Sequence, residues 1–75
     1  MDRAVLQQRL AKLEAKIVGV QHRIDEQREV VITLESAGRS SDHAKYLLAG
    51  LELLQTAYRD SRIAVLAELG VNASS

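Results

Sequence analysis

The chain has 75 residues, ten Lys plus Arg against ten Asp plus Glu, and no Pro, Cys, Trp or Phe. This length excludes two ordinary domains, and a single core of this size buries only roughly 60% of the surface exposed by the unfolded chain. Without Cys there is no disulfide or thiolate metal site, and zero net charge removes a whole-chain attraction to nucleic acid or an anionic membrane.

Apolar residues make up 47% of the chain with only Tyr46 and Tyr58 as aromatics, which argues for a Leu/Val/Ile/Ala fold and against disorder. The segment from Met1 to Arg9 has no apolar core of signal-peptide length. The longest apolar run, Tyr46 to Leu51, is far short of a membrane span. No lipidation motif stands at either end. The expectation is a cytoplasmic protein that engages no membrane.

Helical periodicity dominates the first half. Leu6, Leu10, Leu13, Ile17, Val20, Ile24, Val31 and Leu34 follow alternating steps of four and three, interrupted once, at Gln27. A strand would need period two, so the pattern predicts a coiled-coil seam. Leu10, Ile17, Ile24 and Val31 take heptad position a, and Leu6, Leu13, Val20, Gln27 and Leu34 take d. Arg9, Lys16 and Arg23 line one margin at g, while Glu14, Gln21, Arg28 and Glu35 line the other at e. Gly38 suits the left-handed residue just past a helix end. The predicted helix therefore runs from about residue 2 to residue 37.

The connection covers residues 38–41. Ser40 or Ser41 can accept a hydrogen bond from the free N–H groups of the next helix, and Asp42 sets a negative charge against its positive dipole end. A second helix is predicted over residues 42–69. Its seam reads Ala44, Leu47, Leu51, Leu54, Tyr58, Ser61, Val65, widened by Leu48, Leu66 and Leu69. Gly70 is a stop signal, and residues 71–75 read as a disordered tail.

Two long helices with so short a connection form an antiparallel hairpin. Mirror symmetry about the loop predicts residue i opposite roughly 79 − i, with Leu69 facing Leu10 and Met1 to Arg9 overhanging. Two helices cannot cover stripes this wide, and a lone hairpin core supplies only a few kcal/mol against chain entropy. The expected architecture is all-α: a two-helix coiled-coil hairpin that dimerises into a four-helix bundle of up-and-down neighbours. The competing expectation is a hairpin that docks on an unrelated protein partner.

Few residues invite chemistry. A buried Gln27 would need partners for its amide and could fix register or oligomeric state; the alternative is local exposure. His22 has Asp25, Glu26 and Glu29 within helical reach, but a solvated face carries such carboxylates routinely, and no metal is expected. Neither His22 nor His43 is followed by the Lys-Gly of a phosphoacceptor histidine. There is no Gly-rich phosphate loop and no spaced His/carboxylate set, so neither enzyme activity nor a cofactor is expected.

Residues 1 to 28 hold a net charge of +2 and residues 29 to 75 a net charge of −2. This weak polarity suits an antiparallel pair of copies better than a nucleic-acid surface. Arg9, Lys16 and Arg23 form a basic line at seven-residue spacing, but three charges neutralise few phosphates. Gly19 and Gly50 mark either close helix approach or tolerated exposed glycine, and Tyr46, Leu53 and Ile63 lie off the seam as a small apolar patch.

Ile24, Gln27-Arg28, Val31, Leu34-Glu35, Gly38, Ser41, Ala44, Leu47-Leu48 and Glu68-Leu69-Gly70 carry a resemblance. Over about residues 21 to 70 the chain resembles a group of small uncharacterised helical-hairpin proteins of alphaproteobacteria such as rhizobia. That group has no assigned activity, so the resemblance implies no functional residue beyond setting Gln27-Arg28 inside a recurring pattern. The group often has a more polar segment where this chain has Tyr58. The expected role is a non-enzymatic structural or regulatory module that forms homodimers or binds a protein. The alternative is an RNA-binding four-helix-bundle dimer of the plasmid copy-control type, using Arg9, Lys16 and Arg23.

Overall fold

The computed structural model describes residues 2–70, so Met1 and the expected tail over residues 71–75 lie outside it. It contains two helices, α1 (Arg3–Ser36) and α2 (Asp42–Leu69), which pack against each other as a hairpin. No strand occurs among the described residues. The hairpin measures 53 × 20 × 17 Å, the proportions of a single layer two helices wide.

Local chemistry sets the ends of both helices. The Asp2 carboxylate caps α1 by accepting from the Ala4 N–H at 3.2 Å. At the other end Gly38 adopts φ +69°, its N–H donates to the Glu35 carbonyl at 3.0 Å, and the Arg39 N–H donates to the Leu34 carbonyl at 2.9 Å. These two bonds form a Schellman motif, which satisfies the last free carbonyls of α1 and turns the chain back. Gly70 closes α2 in the same left-handed region, at φ +78°. Both glycines stand where the sequence placed the stops.

At the N-terminus of α2 the two serines divide the tasks. The Ser40 hydroxyl accepts a long hydrogen bond, 3.5 Å, from the Asp42 N–H. Ser41 occupies the cap position without a side-chain cap bond. Instead it is buried, and its hydroxyl donates to the Glu35 carboxylate at 3.3 Å. The loop is thus tied to the last turn of α1.

This fold-back changes the register. The Arg3 guanidinium donates to the Leu69 carbonyl, Glu14 meets Arg62, Lys16 lies over Tyr58, and Gln21 bonds Gln55. Away from the loop residue i therefore stands opposite about 75 − i, one helical turn from the mirror expectation, whereas Arg28–Glu52 and Glu35–Lys45 nearer the loop keep close to it. The predicted overhang is consequently shortened to the first residues of α1. Leu6, expected to project past the end of α2, is only 4% exposed and packs with Val65 and Leu69, flanked by Leu10 and Leu13.

Buried apolar side chains follow the α1 seam through Leu6, Val20, Ile24 and Val31, with Ile24 the most enclosed. Leu10, Leu13, Ile17, Gln27 and Leu34 are half-buried. On α2 the inward row is Ala44, Leu48, Leu51, Gln55, Tyr58, Arg62, Val65 and Leu69. This differs from the expected seam, because Leu47, Leu54 and Ser61 turn outward. The two rows share Ala44, Leu51, Tyr58 and Val65, so the shift is a rotation of α2 about its axis. In this orientation Gln55 and Arg62 reach Gln21 and Glu14.

Candidate functional site

The hairpin has two long flanks, one bridged by polar pairs and one without them. The first is bridged from end to end by the e positions of α1. Glu14 accepts from Arg62 at 3.3 Å, the Gln55 amide donates to Gln21 at 2.6 Å, Arg28 pairs with Glu52 at 3.4 Å, and Glu35 pairs with Lys45 at 2.9 Å. Each ion pair is about half exposed, so each adds little stability and chiefly fixes the match between the helices. Hydrogen bonding and charge from Lys45 hold the Glu35 carboxyl below its ordinary 4.5, with the Ser41 hydroxyl adding to the effect. The same contact raises Lys45 above its ordinary 10.5. A shallow groove lined by Ile17, Val18 and Ile63 lies on this flank, between Glu14 and the arginines 59 and 62.

The second flank is open. Leu47 is 45% and Leu54 37% exposed, yet both adjoin the inward row of α2. Facing them on α1 stands Arg23, and Val30, one heptad further along, is 44% exposed. Gly50 forms the floor of a groove of about 650 Å³, with Leu47, Leu51, Leu53 and Tyr46 on the α2 side and Arg23, Glu26 and Gln27 on the α1 side. Leu53 and Tyr46 are more than 70% exposed. Apolar surface therefore runs without interruption from the core over Leu47 and Leu54 to the outer side of α2. Such a continuous patch is uncommon on a protein that meets only water.

The basic line belongs to this open flank. Arg9, Lys16 and Arg23 enter no salt bridge among the described residues. Lys16 holds its ammonium 5.6 Å from the centre of the Tyr58 ring, a cation–π contact that covers part of the seam. Gln27 lies at the inner edge of the groove. Its amide donates to the Ala44 carbonyl at 3.1 Å, across the hairpin. It is half-buried and bonded within its own chain. Ala44 permits the contact because its small side chain lets the amide reach backbone.

The remaining residues singled out by sequence stay apart. His22 and His43 are exposed, and no group of three His, Cys, Asp or Glu stands close enough to hold a metal ion among the described residues. Gly19 and Gly50 have nothing within 4 Å of an added Cβ, so neither marks close approach inside the hairpin. The bridged flank went unread in the sequence. Its signal was the e row Glu14, Gln21, Arg28, Glu35 set against Arg62, Gln55, Glu52, Lys45, complementary in charge or amide character at every step.

No helix among the described residues is long and apolar enough to cross a membrane. No protein-family model, curated protein or solved structure matches the chain.

Proposed function

We propose that the protein is a non-enzymatic structural or regulatory module that works by self-association, two hairpins closing into a four-helix bundle. One observation carries the proposal: Leu47 and Leu54, an apolar row continuous with the core, face solvent while the opposite flank is bridged by polar pairs. A two-helix layer has no second layer to bury such a row, and the stable solution for helices is packing against other helices.

Sedimentation equilibrium tests the reading. The wild-type protein is expected to be dimeric on the order of tens of micromolar, and Leu47→Lys is expected to be monomeric with an unchanged helical spectrum. A monomeric wild type at that concentration refutes the proposal. A second reading, structured-RNA binding, draws on the unpaired Arg9, Lys16 and Arg23. It predicts a gel shift that disappears when all three become Glu.

A further inference from the structure

We infer that the two copies lie side by side with their loops at the same end, related by a twofold axis parallel to the helices. This inference rests on the self-association proposed above and specifies its geometry. The occupant of the open flank is a second copy of this chain, and the arrangement follows from how that flank is graded along its length.

Near the loop the α2 side of the flank is apolar, carrying Leu47, Gly50 and Leu54, with Arg23, Glu26 and Gln27 across the groove and an exposed Val30 on α1. Away from the loop it is polar, carrying Arg9 and Lys16 on α1 with Ser61 and Glu68 on α2. In the observed register Arg9 stands level with about residue 66, so Glu68 shares its height. A twofold parallel to the helices preserves height. It sets the apolar half of one copy on the apolar half of the other, and brings the Arg9 end of one α1 beside the Glu68 end of the partner's α2. Neighbouring helices remain antiparallel, since α1 of one copy faces α2 of the other.

A twofold perpendicular to the helices inverts height. Leu47 would then meet the polar end of its partner and lose the burial that drives association. The basic line would lie antiparallel against itself, with Arg9 near the other copy's Arg23, and like charges across an interface oppose binding. The opposite net charges of the two halves, which suggested antiparallel copies from sequence, do not decide the matter. Much of that charge is spent on the bridged flank, on Glu14–Arg62, Arg28–Glu52 and Glu35–Lys45.

The chain has no Cys, so one engineered thiol gives one spin label per copy. Arg39→Cys labels the loop, at an exposed residue whose only recorded hydrogen bond is made by its backbone. Ala4→Cys, also exposed, labels the far end and serves if the loop variant does not fold. Label-to-label distances are read by double electron–electron resonance, with sedimentation run on the same samples. Side-by-side hairpins place either pair within about 25 Å, two helix diameters plus the label arms. Head-to-tail hairpins place either pair near the 53 Å length of the molecule. A dimer with distances beyond about 30 Å overturns the arrangement and leaves self-association standing. A monomer overturns both.

Discussion

Replacing Leu6 by Ala tests the register of the hairpin directly. If α1 overhung α2, Leu6 would sit in water and its truncation would cost almost nothing. In the structure it is 4% exposed and closes the terminal cluster with Val65 and Leu69. Burying a Leu side chain stabilises by about 1.5–3 kcal/mol, and Leu→Ala in well-packed cores costs about 2–5 kcal/mol. Leu6 lies one turn from the helix start and packs on one side only, so the site can partly relax and the lower figure applies. The expected cost is about 2 kcal/mol, which lowers the melting temperature of a domain this size by about 8–16 °C. Thermal melts followed by circular dichroism, at fixed protein concentration, read the shift. Val5→Ala is the control: Val5 is 44% exposed, and its truncation should change stability by less than about 0.5 kcal/mol. Equal melting temperatures for the two variants would show that α2 does not reach Leu6.

Three further outcomes are expected. Gly19→Ala should stabilise by about 1 kcal/mol in urea titrations, because an added Cβ meets nothing within 4 Å and only the helix-propensity gain remains; destabilisation would mean that Gly19 packs against something. Gln27→Glu keeps the shape of the side chain but turns a carboxylate towards the Ala44 carbonyl, which should cost about 1–3 kcal/mol at neutral pH. That cost should shrink as acid protonates the new carboxyl and restores a donor, and a pH-independent loss would contradict the hydrogen bond. The Glu35–Lys45 pair should give a stability difference between wild type and Glu35→Gln that is present between the two ordinary values, 4.5 and 10.5. Because the Glu35 value is lowered on folding, the difference fades as pH falls through it; because the Lys45 value is raised, it fades again as pH rises through it. A difference in urea midpoint that stays flat from pH 2 to 7 would show that the pair does not form in solution.

The sequence by itself determined the elements and their ends. Alternating steps of three and four, unbroken by Pro, admit no regular structure but helix, and the glycines at 38 and 70 supply the left-handed residues that stop one. These signals are local, so they survive without knowledge of the neighbour. The α1 seam was legible for the same reason: only one apolar row recurs along it. On α2 two rows recur, one through Leu47 and Leu54 and one through Leu48 and Leu69, and they share Ala44, Leu51, Tyr58 and Val65. Periodicity cannot choose between rows that share every second member. Tertiary structure chose: Leu48 and Leu69 turn inward, Gln55 and Arg62 meet Gln21 and Glu14, and Leu47 and Leu54 turn outward. Register was likewise decided in three dimensions. The Schellman turn and the Glu35–Ser41 contact tie the loop to α1, and at the far end α2 reaches about one turn further along α1 than mirror symmetry gives, burying Leu6. The zero net charge therefore conceals a flank whose charges are matched across the helices and a basic line left open beside an uncovered apolar row.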